Sequence, residues 1–110
     1  FFFTCHTNDH IYLHNVAQLG HTWDDAIIHF ECGRMTTAQF IESSRRNNTN
    51  RYNDVYLTLS RTYGTPVSMR YLNDGGYECV WYGGDRRGMV ILEYYRHNNR
   101  YYTVLSFGTY

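Results

Sequence analysis

The chain has 110 residues, enough for a single domain whose folding hides roughly two-thirds of the unfolded surface, so a core without staples is feasible. Ten acidic residues balance ten basic ones, so no long-range field gathers phosphates or an anionic membrane surface, and nucleic acid is not an expected partner. All the basic residues are Arg, and the absence of Lys excludes a Schiff-base lysine, a phosphate-loop lysine and a Ser-Lys pair.

The run Phe1-Phe2-Phe3-Thr4-Cys5 is apolar but too short to span a bilayer. It reads as the start of a processed or partial chain, a tail or first strand that packs on the domain or on a neighbouring copy. Phe1, Phe2 and Phe3 are therefore candidates for self-association into a filament or shell. Cys5, Cys32 and Cys79 are an odd set with no two close enough in sequence for a metal knuckle or a redox pair. In an oxidising compartment one bridge plus one thiol is expected, Cys5 to Cys32 being preferred because Cys79 falls in an expected core strand; in the cytosol all three would be buried thiols.

Ile11 to Val16 alternates weakly and suggests a short strand. His6, His10 and His14 recur every four residues, which on a helix would make a metal-binding face; on a strand only His10 and His14 share a side, and no metal is assigned. From Trp23 to Cys32 a helix is expected: Thr22 can cap it, Asp25 completes a capping box, Trp23, Ala26, Ile27 and Phe30 repeat at helical spacing, and Gly33 ends it. Arg34 to Ile41 fits either a short helix capped by Thr36 or Thr37 or an extended piece, and the helix is preferred. The polar Ser43 to Asn50 stretch reads as an exposed loop.

Tyr52, Val55, Tyr56, Leu59 and Tyr63 follow the 3.6 period, with Asn50 as cap and Gly64 as stop before Pro66, and define a second helix. Strands follow at Val67 to Leu72, Tyr77 to Tyr82, Met89 to Arg96 and Tyr101 to Phe107. They are joined by Asn73 to Gly76, Gly83 to Gly88 and His97 to Arg100, connections short enough to force antiparallel pairing. The reading is an α+β fold: two main helices packed on one face of a four-stranded antiparallel β-meander. The chain is one domain, with a tail or short strand over 1–16, a helical part over 22–64 and the meander over 67–108.

Alternation divides the meander. Val67, Met69, Tyr71, Cys79, Trp81, Val90, Leu92, Leu105 and Phe107 belong to the helix-covered side. Arg70, Glu78, Glu93 and Tyr95 belong to the other, with Tyr82 and Tyr102. An antiparallel sheet commonly leaves one face wet, and Tyr and Arg are residues that anchor interfaces. Arg70, Tyr82, Glu93, Tyr95 and Tyr102 are thus the candidate contact residues for a protein partner. A competing reading takes Glu93, His97 and Arg70 as the base, acid and cation of a small metal-independent ribonuclease or toxin. No cofactor is implied, and no nucleophile elbow, zinc-protease helix, dinucleotide fingerprint or calcium loop is present.

Tyr63-Gly64-Thr65-Pro66, Trp81-Tyr82, Val90-Ile91-Leu92 and the Val104 to Phe107 strand together resemble the small two-helix, antiparallel-sheet domains of outer-membrane-assembly lipoproteins and of the β-lactamase inhibitor protein family. The likeness covers Asn53 to Tyr110. It implies an extracytoplasmic or secreted, non-enzymatic interaction module.

Overall fold

The computed structural model describes residues 5, 7–73, 75–83 and 88–109, and the following account concerns those residues. Seven strands and one helix are present: β1 Asn8–Gln18, β2 His21–Glu31, β3 Arg34–Ser44, α1 Asn50–Tyr63, β4 Ser68–Tyr71, β5 Tyr77–Tyr82, β6 Gly88–His97 and β7 Arg100–Thr109. All strands join one antiparallel sheet in the order β1-β2-β3-β7-β6-β5-β4. The expected two helices over a four-stranded meander are therefore replaced by one helix over seven strands. Residues Trp23 to Cys32 and Arg34 to Ile41, expected to be helical, form β2 and β3.

Local chemistry accounts for that difference. Leu19 and Gly20, with φ of 51° and 76°, and Cys32 and Gly33, with φ of 54° and 77°, form two-residue turns in the left-handed region. Such turns match the twist of the strands they join, so Gly33 closes a hairpin instead of ending a helix. Thr22 lies inside β2, where its carbonyl accepts from Arg51. Asp25 pairs across the sheet with His14, Nδ1 to Oδ1 2.7 Å, rather than capping a helix.

The helix-like spacing of Trp23 and Ala26 has a β explanation. The β1–β2 ladder is interrupted at Asn15, which has φ 54°, and at Asp24 opposite it. The break lets Trp23 and Ala26, three residues apart and both buried, face the same side.

The helix and the four C-terminal strands follow the sequence reading closely. Tyr52, Val55 and Leu59 are the buried side of α1 and sit in one cluster with Trp23, Phe40, Trp81, Leu92 and Leu105. Thr49, rather than Asn50, holds the cap position, and its carbonyl accepts the first helical bond from Asn53. At the other end the Trp81 indole donates to the carbonyl of Gly64 at 2.9 Å and ties the helix terminus to β5. Arg51 ties the first turn to the opposite half of the sheet: its guanidinium lies 5.3 Å from the Trp23 ring and 2.7 Å from Glu42.

Because β3 and β4 are separated in the sheet by β7, β6 and β5, the β3–α1–β4 connection crosses one face and covers only the middle of it. Val67, Met69 and Tyr71 lie beyond the cover, exposed at the β4 edge. Their expected place under a helix is thus not realised. Tyr serves both faces of the sheet. Tyr71, Tyr77, Tyr94 and Tyr101 stand in a row on the helix side, successive ring centroids 6.0, 5.9 and 6.2 Å apart.

Cys5 and Cys32 are bridged, with Cα atoms 5.8 Å apart, and Cys79 is a buried thiol. Phe1, Phe2, Phe3 and His6 lie outside the described residues.

Candidate functional site

No described element covers the second face of the sheet. Cross-strand register puts Arg70, Glu78, Glu93, Val104, Ile41, Asp25 and His14 in one row across it. A neighbouring row carries Ser68, Val80, Ile91, Ser106, Gln39, Ile27 and Tyr12. The middle of both rows is aliphatic: Val104 is only 5% exposed, and Ile27, Ile41, Val80 and Ile91 are half-buried. Beside this aliphatic strip a groove of about 350 Å³ is lined by Ile91 together with His29, Thr37, Gln39, Met89, Glu93 and Ser106. Gln39 donates to the Ser106 hydroxyl at 3.3 Å and closes part of the floor's polar inventory within the sheet.

All five residues singled out for contact lie on this face. Arg70 and Glu78 are joined Nε to Oε1 at 2.7 Å, and Glu93 is the next residue in that row. Tyr95 and Tyr102 stack across β6 and β7 with ring centroids 5.4 Å apart and planes inclined by 22°. Tyr82 lies at the end of β5 opposite Met89 and is half exposed. The exposed Arg70 guanidinium makes its ion pair with Glu78 a device for orientation more than for stability.

Glu93 is the electrostatically distinct member. Burial pushes its carboxyl above the usual carboxylate range, the neighbouring Glu78 charge adds to the rise, and Arg70 opposes it. A half-buried carboxyl of this kind, at the border of an apolar groove, is suited to receive a hydrogen-bond donor or a cation from a partner.

The alternative catalytic trio is not assembled. His97 is four residues from Glu93 on the same strand, about 13 Å along it, and pairs in register with Arg100 at the β6–β7 turn. Arg70 is two strands from Glu93, roughly 10 Å. A base and acid acting on one phosphodiester must each reach it within hydrogen-bonding distance. His10 and His14 share a side of β1, but His10 rests against His29 at a ring separation of 4.1 Å and His14 on Asp25. Among the described residues no three His, Cys, Asp or Glu side chains are grouped closely enough to hold a metal ion.

His29, Thr37, Gln39 and Ser106 were not singled out from the sequence. The first three fall in segments whose helical spacing hid their alternation, and Ser106 carried no signal beyond its place in a strand. A second cavity of about 410 Å³ lies on the helix side, between α1 and the β4–β5 hairpin, lined by Tyr52, Tyr56, Met69, Tyr71, Tyr77 and Cys79.

No family model, curated protein or solved structure matches the chain. Among the described residues no helix is long and apolar enough to cross a membrane.

Proposed function

We propose that this chain is a non-enzymatic, extracytoplasmic interaction module that binds a protein partner through the uncovered face of its sheet. The observation that carries the reading is an uncovered aliphatic strip of Ile27, Ile41, Val80, Ile91 and Val104, with a groove at Ile91, beside stacked Tyr95 and Tyr102 and the Arg70–Glu78–Glu93 row. Aromatic anchors beside a desolvated floor supply affinity, and a fixed charge row supplies orientation. The Cys5–Cys32 bridge supports an oxidising compartment, where such bonds persist.

The test is affinity capture from the extracellular fluid of the source, followed by titration of the purified partner against variants. Tyr102→Ala and Glu93→Ala should each weaken binding about tenfold, the size of loss typical of an interface anchor. Leu57→Ala, on the exposed side of α1, should not. Equal affinity for all three variants would overturn the reading, as would RNA cleavage that disappears in Glu93→Gln or His97→Ala.

A further inference from the structure

We propose that β1 is a self-pairing edge, through which two copies of this chain join antiparallel over residues 8–14 about a two-fold axis at Ile11. The proposal concerns the strand edge and is independent of the open-face reading above.

The backbone decides which groups are free to pair. Thr7 stands opposite Cys32 by continuation of the Asn8↔Glu31 register, and the Cys32 N–H donates to the Thr7 carbonyl at 3.0 Å. In an antiparallel ladder bonded and non-bonded pairs alternate. Thr7, Asp9, Ile11 and Leu13 therefore direct their peptide groups toward β2, and Asn8, His10, Tyr12 and His14 direct theirs outward. Among the described residues no strand lies beyond β1. The run is bounded by the disulfide-anchored segment before Asn8 and by the left-handed Asn15 after His14. Residues 8–14 are symmetric about Ile11, so a second copy turned by the two-fold axis engages every outward-facing residue.

The side chains match under the same operation. Ile11 meets Ile11 of the second copy in a non-bonded pair, where facing side chains come closest. Ile11 and Leu13 are on the helix side of the sheet, opposite Ile28 and Ala26, but lie beyond the cover of α1 and are exposed. On the other side His10 faces Tyr12 of the second copy, extending the His10–Tyr12 stack already present within the strand, where the ring planes are 9° apart. Asn8 faces His14. No like charges are opposed, and the chain's zero formal net charge gives two copies no long-range repulsion.

Protection of the two sheet edges is unequal. The β4 edge is only four residues long, which blunts it. The β1 edge is eleven residues long, contains neither Lys nor Pro, and carries Tyr12 at 67% exposure. These are the properties of an edge that receives another strand. A second copy is the occupant that fits, because the stretch is complementary to itself under one rotation.

Sedimentation velocity of the oxidised 110-residue chain, from about 1 to 500 µM, reads the equilibrium. The expected result is a concentration-dependent species of twice the 13.1 kDa chain mass. Tyr12→Pro removes one outward amide and leaves the β1–β2 ladder intact, and Ile11→Lys places like charges at the axis; each should weaken the dimer at least tenfold with unchanged circular dichroism. Ile11→Cys should form an interchain disulfide on mild oxidation, whereas Leu57→Cys should not. A chain that stays monomeric throughout, or a dimer untouched by both Tyr12→Pro and Ile11→Lys, overturns the proposal. A dimer lost instead with Tyr102→Ala would place the contact on the open face and overturn it equally.

Discussion

The hydroxyl of Tyr52 on α1 and the thiol of Cys79 on β5 lie 3.1 Å apart beneath the helix, with Cys79 only 2% exposed. Burial, reinforced by the bond to Cys79, holds the Tyr52 proton far above the ordinary phenol range. Burial raises Tyr94 as well. The folded-state values exceed the unfolded ones, so this contribution is fully present below about pH 10 and is lost as pH rises above it.

Alkaline unfolding is the consequence. Urea midpoints should fall steeply above about pH 10, and phenolate absorbance should show at least one tyrosine ionising only when the chain unfolds. Tyr52→Phe cannot ionise, and its stability should fall less steeply with pH. At neutral pH the same variant loses the hydroxyl–thiol bond and should be less stable by about 1 kcal/mol.

Glu93→Gln tests the open face electrostatically. The wild-type carboxyl is raised, first by burial and then by Glu78, so the folded state holds its proton more tightly than the unfolded chain does. Its favourable effect is present below the ordinary carboxylate range and is lost as pH rises through the folded value. Gln carries no charge at any pH, so the variant should gain on the wild type between pH 4 and 7, by a few tenths of a kcal/mol after solvent screening is allowed for. Denaturant titrations of both proteins at several pH values would measure the crossing, and a wild type that gains with rising pH would contradict it.

The Cys5–Cys32 bridge closes a 27-residue separation and fastens the start of β1, an edge strand whose only described neighbour in the sheet is β2. Chain-entropy reasoning puts its worth near 3.5 kcal/mol. Cys5→Ser/Cys32→Ser should therefore lower the unfolding free energy by about that amount. Hydrogen exchange should quicken first along β1, while α1 and β5–β7 stay protected. Equal acceleration in β1 and β6 would show that the bridge acts on the whole fold.

What the sequence disclosed follows from how each segment is buried. In α1 one side is covered and the other wet, so Tyr52, Val55 and Leu59 keep their period. In β5 and β6 the helix side is buried and the open side half-buried, so Cys79 and Trp81, and Val90, Leu92 and Tyr94, alternate legibly. The contact candidates were placed on one face by that alternation. In β2 it fails. Ile27 and Ile28 point to opposite sides and are both half-buried, while the break at Asn15 and Asp24 puts Trp23 and Ala26 on the same side. The result imitates a helical stripe, and the Cys32-Gly33 turn imitates its stop. Only the pairing of β2 with β1 and β3, which is non-local, overrides that local pattern. With β2 and β3 misread, the borders of the groove at His29, Thr37 and Gln39 were out of reach.

Gly76, just before β5, sits where no side chain has room. A Cβ built there would stand 2.0 Å from the Tyr94 carbonyl oxygen and 2.9 Å from the Tyr95 Cα, both backbone atoms that cannot turn aside as a side chain would. The Gly76 carbonyl also accepts from the Leu72 N–H at 2.9 Å, so the residue cannot retreat without opening the β4–β5 connection. Gly76→Ala should accordingly cost at least 3 kcal/mol, on the scale of severe overpacking, or release β4 from the sheet. Gly75→Ala next to it meets no atom within 4 Å but must hold φ at 84° and should cost only about 1 kcal/mol. Urea titration of the two variants ranks them, and amide exchange at Met69 and Arg70 reports whether β4 has detached. A Gly76→Ala protein as stable as Gly75→Ala would mean that the β4–β5 hairpin sits farther from β6 than the register of Tyr77 with Tyr94 requires.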